Sequence, residues 1–372
     1  MAKRVLHSTA YSKSGVNYSK LDRLKRAAQK AAYATGKNLK DTQYQEVADS
    51  RGESAYLIEH QDHYLAMVQE GLGTKSLVAD SVRKYTHKTF YDAIAIDTVA
   101  MIINDLITVG ARPLVIQQYL ATGDESWLDD IERFSDLAAG WQWACDQVGA
   151  SWGGGETPGL RDIIKPEAVD LGGSAMGIVQ PKTQLLTADK IKDGDAIVGF
   201  ASSGIHANGV SLARQLATTL PNGYRTLLSD GQTFGEALLK PTVLFSALIQ
   251  SLLTAELDVH YCANITGHGW RKLMRPNKPF CYTITTIPPV PLVLQFLCDQ
   301  LHLSLHDAYG TFNMGLGMCV YLPKENVARV LKLAQRQKIQ AWELGVISST
   351  KTKKVEIKPL KIQYEANDLQ IR

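Results

Sequence analysis

Between Tyr91 and Val109 the chain runs YDAIAIDTVAMIINDLITV, an apolar stretch that nevertheless carries Asp97, Asn104 and Asp105. Its spacing and length predict a helix, closed by Gly110 and followed by Pro113 as a stop signal. Asp97 and Asn104 stand two helical turns apart and share a face, with Asp105 on its flank. So apolar a helix has to be buried, and charges inside it need partners or an ion. Just upstream, a strand-like run from His63 to Val68 leads into EGLGTK, that is Glu70, Gly71, Leu72, Gly73, Thr74 and Lys75. Glycines let backbone amides approach an anion, a lysine supplies a point charge, and neighbouring carboxylates can hold a divalent ion between phosphates. The combination points to nucleotide chemistry, although the spacing is not that of a P-loop.

A chain of 372 residues has the length of two domains, and the polar, turn-rich stretch from Pro181 to Asp195 is the natural seam, giving units 1–183 and 184–372. With 40 basic and 37 acidic residues, the net charge of +3 offers no electrostatic case for a nucleic-acid or membrane partner, so a small molecule is expected. Five cysteines without CxxC spacing suit a reduced, cytoplasmic protein rather than a disulfide framework or a zinc ribbon. MAKRVLHSTAYSKSG lacks the apolar run of a signal peptide, and no stretch is apolar enough for a membrane span.

Along the chain, an exposed helix is expected within residues 21–40, a buried strand at 113–122, and a long helix at 125–148. SWGGGETPG then reads as a second glycine-rich loop, with Gly153, Gly154 and Gly155 forming a backbone cradle beside the acid Glu156. A strand at 171–179 precedes the seam. Beyond it, AIVGFASSGIHANGVSLARQL has the order strand, loop, helix, and the helix N-terminus makes its loop a natural phosphate site. That loop carries Ser202, Ser203, Gly204, His206 and Asn208, with His206 placed as a proton donor or phosphate ligand. A helix at 241–255, strands at 282–287 and 314–322, a helix at 326–337 and a strand at 341–348 complete the second unit. His302 and His306 have i, i+4 spacing but no evident third ligand, so they are expected to be structural, as are the cysteines, Trp141 and Trp143.

Taken in order, EGLGTK, YDAIAIDTVAMIINDLITVGARPL, YLATG, GGGET, SSGIHANGVSL, DVHYCANITGHG and TFNMGLGM resemble the phosphoribosylformylglycinamidine cyclo-ligase (aminoimidazole ribonucleotide synthetase) family over about residues 11–348. The resemblance implies a two-domain α/β fold whose N-terminal domain binds ATP and joins a second subunit in a dimeric β-barrel, with a C-terminal α/β domain alongside. It implies ATP- and Mg2+-dependent closure of the imidazole ring of formylglycinamidine ribonucleotide in purine biosynthesis. Lys75 would then contact ATP phosphate; Glu70 and Asp105 would bind the metal or orient the γ-phosphate; Asp97 would support them and Glu156 would lie near the reacting groups. Gly71, Gly73, Thr74 and Asn104 would complete the nucleotide side, and the Ser202–Asn208 loop, with Gly154 and Gly155, the substrate side.

The chain departs from the family pattern in several loops. Glu70 replaces an aspartate, YSKSGVN at Tyr11 to Asn17 replaces YKDAGVD, PGL shortens the segment after GGGET, and ITGHGW brings in His268 and Trp270. Two competing expectations follow: a kinase resembling thiamine-monophosphate kinase, and a nucleotide-binding dimer without catalysis.

Overall fold

The computed structural model describes residues 18–369, so the YSKSGVN segment lies outside the described residues. Among these residues the chain builds two mixed sheets with a break between them. Strands β1 (Gln45–Glu46), β2 (Tyr56–Glu59), β3 (Tyr64–Gly71), β4 (Arg112–Thr122), β5 (Ser151–Glu156) and β6 (Val169–Val179) form the first, in the order β1-β2-β3-β6-β4-β5. Its pairs are antiparallel except β4 with β5.

The second sheet uses β7 (Ala196–Ala201), β8 (Tyr261–Asn264), β9 (Phe280–Ile284), β10 (Leu316–Leu322), β11 (Ala341–Ser349), β12 (Lys354–Ile357) and β13 (Ile362–Glu365), in the order β13-β12-β9-β11-β7-β10-β8. β10 is buried throughout, as a central strand covered on both faces must be.

One face of the first sheet is covered by the helix Tyr91–Leu106, against which the helix Ile131–Val148 packs. Alternation along β3 sends Ala66 and Val68 into that core and leaves Met67 and Gln69 on the opposite, open face. Met67 is 47% exposed there.

Several expected elements shift, each for a local reason. The helix expected from residue 125 begins at Ile131, because Asp124 caps a short turn at Glu125–Trp127 and Asp130 caps the helix itself by accepting from the N–H of Arg133. GGGE is not a loop but the edge strand β5, paired with β4 so closely that a Cβ at Gly155 would sit 2.1 Å from the Gln118 carbonyl. The helix expected at 241–255 is confined to Ser246–Thr254, because the N–H groups of Thr242 and Phe245 are taken by Asp97 and Asn104 of the first domain. His302 stands beyond the helix Leu292–Gln300 at φ +49°, while His306 lies in the helix Leu305–Thr311, so the two share no helical face. The helix Ser76–Thr86 and the terminal hairpin β12–β13 have no counterpart in the sequence expectations.

Candidate active site

The buried polar residues of the Tyr91–Leu106 helix meet the second domain. Asp97 accepts from the backbone N–H of Thr242 at 2.9 Å. Two turns on, Asn104 accepts from the N–H of Phe245 at 3.0 Å and donates to the Val243 carbonyl at 2.8 Å. One helical face thus grips the segment 242–245 of the other domain, satisfying backbone groups that burial would otherwise leave unpaired.

Lys75 joins the same seam. Its Nζ lies 2.6 Å from Asp97 Oδ2, with neither side chain exposed, and donates to the carbonyls of His206 at 2.9 Å and Lys240 at 3.1 Å. Burial lowers the lysine pKa and raises that of the aspartate, and each partner's charge opposes the shift of the other. An amine enclosed in this way has no donor left for a ligand. Lys75, Asp97 and Asn104 thus tie the two domains together.

His206 is equally enclosed. It is 5% exposed, at φ +60°, and its Nε2 accepts the N–H of Ser203 at 3.1 Å, which places the ring proton on Nδ1. Burial, together with the Lys75 charge, lowers its pKa to about 3. A neutral ring whose acceptor nitrogen is occupied organises the loop. Ser202 Oγ donates to Asn313 Oδ1 at 2.9 Å, Ser203 Oγ donates to the Pro241 carbonyl at 2.5 Å, and Asn313 donates to the Gly204 carbonyl at 2.9 Å. Asn313, within TFNMGLGM, is the organiser that sequence reasoning passed over.

A different cluster carries the open charge. Glu70 at the end of β3 faces Asp105 at the end of the Tyr91–Leu106 helix, and burial plus the Asp105 charge raise the Glu70 pKa to about 7. Asn264, on β8 of the second domain, donates to Asp105 Oδ1 at 2.7 Å. Lys272, from the turn Gly269–Met274, balances the acids, and its own burial lowers its pKa to about 8 against their pull. Two carboxylates supply oxygen ligands of the kind a hard divalent ion takes. Lys272 lies two residues past Trp270 in the variant ITGHGW loop, a signal available in the sequence but not followed to the lysine. Trp270 itself is core, its Nε1 donating to the Asn313 carbonyl at 2.7 Å.

EGLGTK begins at Glu70 and runs to Lys75. Gly73 has φ +78°, a conformation that suits glycine, and a Cβ there would meet nothing within 4 Å, so the loop leaves open space. Thr74 Oγ1 lies 3.2 Å from Ser211 Oγ in the first turn of the helix Val210–Thr219. Gly71, Gly73 and Thr74 are thereby set beside a helix N-terminus and the half-buried Asn208.

Glu156 is elsewhere. It pairs with Tyr119 on β5, and alternation points it to the open face of the sheet, whereas Glu70 points to the helix face. With Gln69, Gln117, Tyr119, Ser174, Gly153 and Gly155 it lines a polar cavity of about 420 Å³. Gly154 lies in the same strand.

Residues 52–179 match the AIR synthase related protein N-terminal domain family and residues 192–358 the corresponding C-terminal domain family. A phosphoribosylformylglycinamidine cyclo-ligase from Methanococcus maripaludis is 33% identical over 341 residues, covering 91% of this chain and 92% of that protein. The cyclo-ligase of Pyrococcus horikoshii is 34% identical over 337 residues, covering 91% and 94%. Among solved structures, hydrogenase maturation protein HypE in complex with ATP has the same fold, with a TM-score of 0.57 at 17% identity over 81% of this chain and 84% of that one.

Proposed function

Because this chain belongs to the AIR synthase related family through both of its domains, we propose that it is the ATP-dependent cyclo-ligase that converts formylglycinamidine ribonucleotide to aminoimidazole ribonucleotide in purine biosynthesis. The observation that carries this reading is the grouping of Glu70 and Asp105 with Lys272, contributed by both domains, at the start of the open EGLGTK loop.

Glu70 and Asp105 would hold a magnesium ion, since a bound divalent cation offsets the burial and the Asp105 charge that together raise Glu70. When bound, that ion would neutralise phosphate charge on ATP. Lys272 supplies a fixed cation opposite, Asn264 fixes the orientation of Asp105, and the amides of Gly71, Gly73 and the helix starting at Val210 favour the phosphates. The formyl amide oxygen attacks the γ-phosphorus and ADP leaves. The amidine-side nitrogen then attacks the activated carbon, one proton is lost, and inorganic phosphate departs with the former formyl oxygen. Holding both reactants in one cleft supplies the positioning such a transfer depends on.

A homodimer belongs to this reading. Met67 and Gln69 on β3 leave the open face of the first sheet uncovered in one chain, and a second copy would close it. Glu156 and its polar cavity would then face the partner and border substrate. Light scattering on the purified protein tests the assembly.

The decisive assay supplies formylglycinamidine ribonucleotide labelled with 18O in the formyl group, together with ATP and Mg2+. Aminoimidazole ribonucleotide and labelled phosphate in equal amounts are expected. A second reading, a small-molecule kinase, is favoured only by fold: a thiamine-monophosphate kinase from Stenotrophomonas maltophilia has a TM-score of 0.56 at 18% identity over 88% of this chain and 94% of that one. Phosphorylation of thiamine monophosphate with no ring closure would select it; ATP binding with neither reaction would leave a non-catalytic nucleotide binder.

A further inference from the structure

The turn joining β2 to β3 reads EHQDHY, and its chemistry is unrelated to the site just described. The N–H of His60 donates to the His63 carbonyl at 2.9 Å, closing the hairpin and placing both rings on one side of it. Both rings turn Nδ1 to the same atom, Asp62 Oδ1, at 2.7 Å from His60 and 2.8 Å from His63. Their centroids are 4.5 Å apart, and the ring of Tyr44 backs that of His60 at 5.2 Å. One ligand atom from each of the three residues lies within 4.8 Å of the others.

We propose that His60, Asp62 and His63 form a binding site for a borderline transition-metal cation of the Zn2+ or Ni2+ class, separate from the magnesium-nucleotide site. Ligand atoms around an ion bound at about 2.1 Å lie roughly 3 to 4 Å apart, a spacing these three reach by small side-chain rotations. Two imidazoles and one carboxylate suit such an ion and not magnesium, which demands oxygen ligands. Asp62 is 62% exposed on its side chain, so water has access to complete the coordination, while His60 and His63 are mostly covered and partly ordered.

The site has its own second layer. Gln180 Nε2 reaches Asp62 Oδ2 at 3.4 Å, and Lys182 pairs with Glu59 at 2.6 Å while its amine sits 5.0 Å from the ring centre of Tyr64. An ion here would fasten the hairpin to Tyr44 on one side and to the segment after β6 on the other. Along β3, Glu70 lies roughly 20 Å away at about 3.3 Å per residue, too far to share a ligand.

The test is isothermal titration of untagged, EDTA-stripped full-length protein with ZnCl2, repeated with CoCl2 while recording visible absorption. Wild type should bind one equivalent of Zn2+ and develop cobalt d–d bands. H60A/H63A and the nearly isosteric D62N should each weaken Zn2+ binding at least tenfold and lose the cobalt spectrum, while keeping the metal-free melting temperature. Excess Mg2+ should leave the zinc isotherm unchanged. Equal zinc binding by wild type and D62N, displacement by Mg2+, or no zinc binding by wild type would each overturn the proposal.

Discussion

Lys75 Nζ and Asp97 Oδ2 meet at 2.6 Å with neither side chain exposed, and the lysine also caps two carbonyls of the other domain. Removing one member leaves a buried charge uncompensated, which typically costs about 3–5 kcal/mol. Lys75→Met and Asp97→Asn should each lower the free energy of urea unfolding by about that amount, while Lys75→Met combined with Asp97→Leu recovers most of it. A double variant no more stable than the singles would show that the pair is not the source of the effect.

Lys272 should matter to turnover more than its place outside the glycine-rich loop suggests. Lys272→Ala is expected to lower kcat/KM for ATP by about 100-fold, near 3 kcal/mol, and Lys272→Arg to recover part of it. Steady-state kinetics at saturating formylglycinamidine ribonucleotide measure this, and a change under threefold would remove Lys272 from the phosphate site.

Glu70→Ala should raise the Mg2+ concentration for half-maximal activity at least tenfold, through loss of one of two carboxylates that repel one another in its absence. Glu70→Asp, one methylene shorter, should retain magnesium dependence closer to wild type. A metal titration of the assay separates the two, and an unchanged requirement in Glu70→Ala would exclude Glu70 as a ligand.

His206 has its acceptor nitrogen occupied by Ser203 and a pKa near 3. His206→Asn should therefore lower stability by about 1–3 kcal/mol while cutting kcat less than about tenfold, with the shape of the pH–rate profile unchanged between about pH 6 and 9. Loss of an ionisation from that profile would restore a proton-transfer role.

His260 bridges Asp195 at 2.6 Å and Asp258 at 3.1 Å. Burial pulls its pKa down, but the hydrogen bonds and charges of the two aspartates outweigh it, leaving the folded value above 6.5. The folded state thus binds the proton more tightly than the unfolded chain. Its stabilisation is complete below about pH 6.5 and is lost as pH rises through the folded value. Melting temperature should fall over that window in wild type, and the fall attributable to this group should vanish in His260→Gln.

Much of the fold was legible because period and punctuation are local. The helix ending near Gly110, the strand at 112–122 and the strand-loop-helix around the Ser202–Asn208 loop could be read from apolar spacing and glycines. The family could be read from motif order. What failed locally was composition overridden by pairing: three glycines suggest a loop, yet β5 exists because β4 offers it a ladder and only glycine fits beside Gln118.

The sequence alone therefore determined that Asp97, Asn104 and Asp105 would be buried and would need partners, since a charge in so apolar a helix is otherwise untenable. Only the tertiary structure decided which partners they found. Backbone at Thr242 and Phe245, hundreds of ångströms of unfolded chain away in principle, claims Asp97 and Asn104, and the carbonyls of His206 and Lys240 claim Lys75. Glu70 and Asp105 meet Lys272 and Asn264 instead. Both sets lie on one helix and one loop, and the docking of the second domain decides which partner each residue meets.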